Sequence, residues 1–367
     1  MRLKKEYDFV CVVSNDLSTE KRMKRCCKVI SSEIGTVLLL GRVHEDSKDL
    51  VLKDFDQDRI QCFFNSGPLF YFELILRFVF YLRRINFKNL ICVDLDTALV
   101  SLFFNNRKKG MIIDLHEYFE EVPELENRNF TKSIWSSIGR LTIKKFHLHY
   151  TVNETLANIF SKKYNQDFKY VRNIPAKRML KKKTKSKDVL SLVYLGVLNP
   201  GRGLHLICES VLKLEGVLLH LVGDGPLNFE LRKRYEDEDS IIFHGHMDEM
   251  GSDRILEECH LGLNLLDSKS KSYFFSLGNK FFQYINAGLP VITMNFPEYK
   301  DIIHQYPCGL LLDDLDSHTF VNTIRNIQLK PSIIDEMSEE CIKVQAHYNW
   351  TNEREKLEQI YTNDLIK

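Results

Sequence analysis

Residues 190–226 read LSLVYLGVLNPGRGLHLICESVLKLEGVLLHLVGDGP. Leu190 to Leu195 is a short apolar run that stops at Gly196, the pattern of a strand buried on both faces. Gly203 to Lys213 reads as a helix. Leu218 to Val222 reads as a second strand, and Gly223-Asp224-Gly225-Pro226 as a sharp turn. The rhythm continues downstream. A helix is expected over Asn228 to Tyr235, a strand over Ile241 to His244 and a helix over Asp253 to Cys259. A strand over Leu261 to Leu265, a helix over Asn279 to Ala287 and a strand over Pro290 to Met294 complete the series. Strands separated by helix-length segments imply a parallel sheet covered on both faces, here a doubly wound α/β domain.

The N-terminal half carries the same alternation less sharply. Tyr7 to Val13 is an apolar run bounded by Ser14-Asn15-Asp16, Thr19 to Ile34 is a basic amphipathic helix ended by Gly35, and Thr36 to Leu40 is the next strand. Asp58 to Phe64, Leu90 to Val93 and Gly110 to Ile113 are further strands, and His147 to Val152 is expected to be the last of this half. The fold class is therefore α/β with two Rossmann-like doubly wound domains. Residues 1–172 form the first and residues 189–349 the second, with a solvated basic linker over 173–188. The linker's Lys177-Arg178 and Lys181-Lys182-Lys183 lack interleaved aromatics, which argues against nucleic acid as a partner.

The chain has 367 residues, enough for two cores. Hydrophobic residues are 44% and charged residues 28%, which excludes disordered and disulfide-scaffold classes. The nine cysteines are scattered with no Cys-x-x-Cys pair, pointing to a reducing compartment and away from structural zinc. No cleavable leader and no apolar stretch long enough to span a bilayer is read, so a cytoplasmic protein is expected, free or at the inner face of the plasma membrane. The net charge of +1 hides an asymmetry. Met1 to Asp188 holds 35 Lys and Arg against 23 Asp and Glu, a surplus of 12 positive charges. The remainder holds 16 against 27, a deficit of 11. Different partners for the two halves follow.

Two helix starts carry the chemistry. Gly201-Arg202-Gly203 opens one, where free N–H groups and the positive dipole end suit an anion and Arg202 adds a planar fork for phosphate oxygens. Taken alone it also fits a turn bearing a surface arginine. Ser276, Leu277, Gly278 and Asn279 open the other, offering backbone N–H groups and a hydroxyl. Lys280 sits in the first turn, where a cation opposes the dipole unless an anion lies between them. Gln283 follows one turn later on the same face, with an amide suited to sugar hydroxyls. Asp94-Leu95-Asp96 reads as a strand-end turn, and no metal site is expected.

These segments resemble retaining glycosyltransferases of family 4, which have the GT-B fold of two Rossmann-like domains with a cleft between them. The signposts are Tyr194-Leu-Gly196, Arg202-Gly203-Leu204, Leu221-Val-Gly-Asp-Gly-Pro226, Ile242-Phe-His-Gly245 and Asn279-Lys-x-x-Gln-Tyr-x-x-Ala-Gly-Leu-Pro-Val291. More loosely, Asn15 to Arg22, Ile113 to Phe119 and Thr151 to Glu154 are similar to segments of bacterial members that build surface polysaccharides. Asn349-Trp350 and a helix over about 350–367 resemble the tail that crosses back to the first domain.

The resemblance implies a nucleotide diphosphate-sugar donor, UDP-linked first and GDP-linked second, and a glycan or lipid-linked acceptor held by the first domain. Configuration is retained, no cofactor or metal is needed, and the setting is polysaccharide or glycoconjugate synthesis. Arg202 and Lys280 match the basic pair on the diphosphate, and Gly201 and Gly203 flank it. Ser276, Leu277, Gly278 and Asn279 match the phosphate and donor-sugar loop. Gly245, His246 and Met247 border the base, and Gly223 and Gly225 let chain and donor approach closely. Gln283 stands where a glutamate holds the ribose, and Phe275 where another contacts the sugar. His116 matches the histidine that meets the donor sugar. Without the resemblance it reads as a strand-end histidine bonded to Asp114 or Glu117. Asp16 and Arg22 are carried as acceptor or phosphate residues, with a solvated-surface reading beside that. Two rival functions stay open, a sugar-nucleotide epimerase of the same fold and a non-catalytic donor-binding subunit. Leu69 to Leu82, with basic Arg83 and Arg84, reads either as a core helix or as a surface that dips into a bilayer, so peripheral membrane association through the basic first domain is carried as a partner.

Overall fold

The structure, a computed structural model, describes residues 5–45, 47–51, 53–104, 110–176 and 189–365. The basic run Lys177 to Lys187 lies outside the described residues. The chain divides into two units: residues 1–172 with 351–367, and residues 173–350.

The first unit has a seven-stranded sheet in the order β3-β2-β1-β4-β5-β6-β7. The strands are β1 (Glu6–Asp16), β2 (Val37–Arg42), β3 (Asp56–Ile60), β4 (Asn86–Val93), β5 (Gly110–Leu115), β6 (Leu148–Thr151) and β7 (Phe168–Tyr170). All pairings are parallel. The final helix, Trp350–Leu365, buries Leu357, Ile360 and Tyr361 in this unit, and the Tyr361 hydroxyl meets that of Tyr150 at 3.1 Å.

Two expectations need correction here. The strand placed over Asp58 to Phe64 runs over Asp56–Ile60 instead. The Glu73 carboxylate accepts the N–H groups of Phe63 (2.9 Å) and Phe64 (3.0 Å), which pulls these residues out of the ladder and leaves both rings exposed. The strand His147 to Val152 is not the last, because the three-residue edge strand β7 follows it. So short a strand carries no periodicity to read.

The second unit has a six-stranded parallel sheet in the order β10-β9-β8-β11-β12-β13. Its strands are β8 (Leu190–Leu195), β9 (Val217–Val222), β10 (Ile241–Gly245), β11 (Leu261–Asn264), β12 (Val291–Met294) and β13 (Gly309–Leu312). The expected fold class is borne out: two parallel-sheet Rossmann-like domains.

Each order reverses once, between β1 and β4 and between β8 and β11. Loops leaving the carboxyl ends of the strands flanking a reversal part to opposite sides and leave room for a ligand. In the second unit one of these loops carries Arg202 and the other leads to the helix Asn279–Asn286, which carries Lys280.

The ends of β8, β9 and β10 are laced together. Gly196 N–H donates to the Val222 carbonyl and Gly223 N–H to the Gly245 carbonyl, each at 2.8 Å. Gly223 has φ +139°, and a Cβ there would overlap the Gly196 carbonyl. Gly223 and Gly225 thus bring chain against chain, where the sequence reading had chain approaching donor. We expect Gly223→Ala to cost about 2 kcal/mol or more through strain and displacement of β8. A urea midpoint equal to that of the parent protein would refute this.

Candidate active site

The site builds from β8 outward. Tyr194, next to last in the strand, is buried, and its hydroxyl donates to the Val197 carbonyl at 2.7 Å. Lys280 enters from the helix Asn279–Asn286, and its Nζ donates to the same hydroxyl at 3.0 Å. A Cβ on Gly196 would overlap Lys280 Cε and Nζ, so glycine after the strand makes room for the ammonium. Arg202, between Gly201 (φ +75°) and Gly203 (φ +62°), extends over the Tyr273 ring at 5.8 Å and interacts with the Tyr194 hydroxyl. Arg202 and Lys280 are thereby brought together around one tyrosine.

The electrostatics are unbalanced. Among the described residues no carboxylate lies within ion-pair distance of Lys280 Nζ. Burial, and then the charge of Arg202, pushes the ammonium well below the ordinary lysine range. Burial also opposes the charge of Arg202, but Tyr194 and Tyr273 overcome it and hold the guanidinium protonated. Burial raises the Tyr194 hydroxyl to about 12, so it stays neutral. Among the described residues the Arg202 Nε has no hydrogen-bond partner. Two cations with unfilled donors describe a place for an anion with several oxygens.

The loop before Lys280 is partly committed to itself. The Ser276 hydroxyl donates to the Tyr273 carbonyl at 2.8 Å, and its N–H reaches the same oxygen at 3.1 Å. Gly278 N–H donates to the Tyr299 hydroxyl at 3.0 Å, and Leu277 is buried. The short helix Lys271–Phe274 needs its last carbonyls capped, and Ser276 does this. Asn279 and Lys280 begin the next helix and keep the orphan N–H groups of a first turn. Gln283 is part-buried one turn on. Gly245 has φ +66° with open space on its Cβ side, and His246 and Met247 follow it.

The first unit brings a different set together at the ends of β1, β4 and β5. Arg22 is 3% exposed and forks onto Asp114, with Nη2 at 3.1 Å and Nε at 3.2 Å, while Nη1 donates to the Val171 carbonyl at 2.9 Å. His116 Nε2 lies 2.9 Å from Asp114 Oδ2, and the His116 N–H donates to Asp94 Oδ1 at 2.7 Å. Burial opposes the imidazolium, but Asp114 and Asp94 overcome it and raise His116 to about 9. Asp16 is buried too, accepting from the Ser18 hydroxyl at 2.6 Å and from Arg59 at 3.1 Å. The solvated reading of Asp16 and Arg22 is therefore overturned, since the donors of Arg22 are spent inside the unit. Asp94, at φ +59°, opens a short helix, Asp94–Ala98. Among the described residues no group of three His, Cys, Asp or Glu is placed to hold a metal ion.

Four residues had no site role in the sequence reading: Tyr194 and Gly196, quoted only as signposts of the resemblance, Asp114, named only as a partner of His116, and Tyr273. A tyrosine beside a glycine at the end of an apolar strand was the available signal for the first two.

The family described as "Glycosyl transferases group 1" matches residues 190–328, all in the second unit. Among curated proteins none matches the sequence. In three dimensions the chain is similar to sucrose-phosphate synthase from Thermosynechococcus elongatus, at 14% identity and TM-score 0.74, over 98% of this chain and 99% of that one. It is similar to the catalytic domain of starch synthase IV from Arabidopsis thaliana, bound to ADP and acarbose, at 13% identity and TM-score 0.73, over 99% and 100%. HepE from Anabaena, in complex with UDP and glucose, gives 10% identity and TM-score 0.71 over 96% and 98%. At these identities the likeness shows the fold, which is GT-B. The fold and the matched domain together support a glycosyltransferase.

Two outcomes follow from the charges. The folded-state value of Lys280 is depressed, so between it and the ordinary value of about 10.4 the unfolded chain holds a proton the folded chain lacks, and stability rises with pH across that window. Lys280→Met should melt no lower than the parent at pH 7, with the difference narrowing as pH climbs toward 10. A variant that melts well below the parent at every pH would show the ammonium to be stabilising. His116 is raised, so its contribution is complete below about 6.5 and fades as pH rises through about 9. In Asp114→Asn its ring signals should titrate at least one unit lower by proton NMR, and an unmoved midpoint would remove Asp114 as the cause.

Proposed function

We propose that the protein transfers a sugar from a nucleotide diphosphate-sugar, UDP-linked first and GDP-linked second, to a hydroxyl of a glycan or lipid-linked acceptor, with retention of configuration. The reaction belongs to surface polysaccharide or glycoconjugate synthesis on the cytoplasmic side. The observation that carries this reading is the convergence of Arg202 and Lys280 on Tyr194 without a balancing carboxylate, inside the matched domain.

In this reading the diphosphate lies against Arg202, Lys280 and the first turn of the helix Asn279–Asn286. The bond from the anomeric carbon to the diphosphate oxygen breaks, and the bond to the acceptor oxygen forms on the same face. The acceptor proton ends on an oxygen of the leaving diphosphate. The protein's task is to position the two reactants and to stabilise the charge growing on the leaving group. That charge is taken by the two cations, so the reaction is assigned no metal. The diphosphate also supplies the counter-charge Lys280 lacks, which keeps it an ammonium. Gln283 is assigned to the ribose, Gly245, His246 and Met247 to the base, and His116 to the donor sugar. Phe275 offers no acceptor for a sugar hydroxyl, which leaves an apolar wall there.

Arg202→Ala and Lys280→Ala should each lower kcat about 10²–10³-fold, as for loss of one charge-stabilising donor. Their melting temperatures should change little. The assay is a panel of nucleotide sugars with product analysis. Free nucleotide plus an extended acceptor of unchanged anomeric configuration supports the proposal. A new sugar nucleotide or free epimer would make it an epimerase, and donor binding with no product a non-catalytic subunit.

A further inference from the structure

The helix Gly67–Leu82 is apolar on two opposite faces. Phe70, Leu74, Phe78 and Leu82 are buried in the first unit. On the other side Leu69, Phe72, Leu76 and Phe80 follow one another at helical spacing, with Phe72 65% and Phe80 58% exposed. The choice between core and surface therefore resolves into both, one face each.

A second helix, Asn129–Thr142, repeats the arrangement. It buries Trp135, Gly139 and Thr142 and turns Phe130, Ile134 and Leu141 outward, Phe130 being 80% exposed. The two helices touch where Tyr71 packs edge-on against Trp135, with ring centroids 4.9 Å apart. The residues next in sequence to this contact, Phe72 and Ile134, are both exposed.

Charge decides what such a surface meets. Residues 74–93 hold Arg77, Arg83, Arg84 and Lys88 and not one carboxylate. Residues 127–153 hold Arg128, Lys132, Arg140, Lys144 and Lys145 and again none. Arg77, Lys88 and Lys132 are paired with Glu73, Asp8 and Glu121 from outside these segments. Arg84, Arg128, Arg140 and Lys144 are exposed. Glu73, the acid on the helix Gly67–Leu82, is taken up by Arg77 and by the Phe63 and Phe64 N–H groups, and aromatic and leucine side chains rimmed by the remaining cations match the boundary between acyl chains and anionic headgroups. Among the described residues no helix is long and apolar enough to cross a membrane, so contact would be from one side.

We propose that the outward faces of the helices Gly67–Leu82 and Asn129–Thr142 form a single docking surface for an anionic lipid bilayer, with Phe72, Phe80 and Phe130 entering the interface. Each cation near the surface adds a modest, salt-screened attraction, and the buried rings supply the rest. This goes beyond the donor reading and does not depend on it, since it concerns other residues of the other unit and is read without nucleotide.

The test is sedimentation of the full chain with vesicles. With equal parts phosphatidylglycerol and phosphatidylcholine the parent protein should bind, and it should bind at least tenfold more weakly to phosphatidylcholine alone or in 1 M salt. Phe72→Glu with Phe130→Glu should reduce binding to the mixed vesicles at least tenfold. Both positions are exposed, so the variant's melting temperature should match the parent's. Arg84→Glu with Lys144→Glu, which leaves the rings in place, should weaken binding in the same direction. Equal binding of the ring variant, or no preference for the anionic vesicles, overturns the proposal. So does a dimer in solution that the ring variant converts to monomer, because the face would then belong to a second copy of the chain.

Discussion

The second unit depends on holding two cations side by side in a part-buried place with nothing negative between them. Lys280 does not secure its own position, since among the described residues its one hydrogen bond goes to a neutral hydroxyl. The helix that carries it is fixed elsewhere. One turn later on the same face, the Tyr284 hydroxyl accepts the Leu195 N–H at 2.8 Å and donates to the Leu263 carbonyl at 3.2 Å. It thus spans the two strands that flank the reversal of strand order. Phe281, Phe282 and Ile285 are buried around it. The cost of the ammonium is borne by packing and by this tyrosine, so the repulsion is available to be relieved by an anionic ligand.

The first unit treats charge in the opposite way. Arg22 is as buried as any core residue, but Asp114 answers it with two oxygens, and the same carboxylate holds the His116 ring. That set is close to neutral and closed. Removing one member would strand the others, whereas adding an anion would find Arg22 already committed. Inorganic phosphate or a diphosphate is therefore expected to prefer the second unit on electrostatic grounds alone. The imidazolium of His116, one-fifth exposed, is the part of the first network that still reaches solvent.

Much of the second sheet was legible because each of its strands is a bounded apolar run between helix-length segments, a pattern set by burial on both faces. Arg202 and Lys280 were legible because cations beside helix N-termini oppose the dipole and ask for an explanation. What stayed hidden depended on partners distant in sequence. Nothing near Tyr194 announces that Lys280, 86 positions later, will donate to its hydroxyl. Nor does Ser276 reveal that its hydroxyl caps the turn just before it, or Gly278 that Tyr299 will take its N–H. Likewise the strand expected through Phe64 is ended by Glu73, a residue whose action on the preceding loop is invisible to propensity. β7 is three residues long, too short for any period to emerge.

Average charge was the least informative quantity. Of the surplus of 12 positive charges over residues 1–188, residues 1–172 contribute 28 cations against 22 acids, or six. The other six come from residues 173–188, with seven cations against one acid. A surplus of six spread over 172 residues is too small to draw a protein to a membrane by itself. Its distribution is what matters, because an electrostatic attraction acts over about one Debye length. Two long stretches free of carboxylates, each beside a helix whose outer face is aromatic or aliphatic, concentrate that surplus on the apolar patch. An amphipathic reading fails for Leu69 to Leu82 because both faces are apolar, so the period that distinguishes core from solvent vanishes. Only the burial of Phe70 and Phe78 beside the exposure of Phe72 and Phe80 separates the side that folds the unit from the side left over.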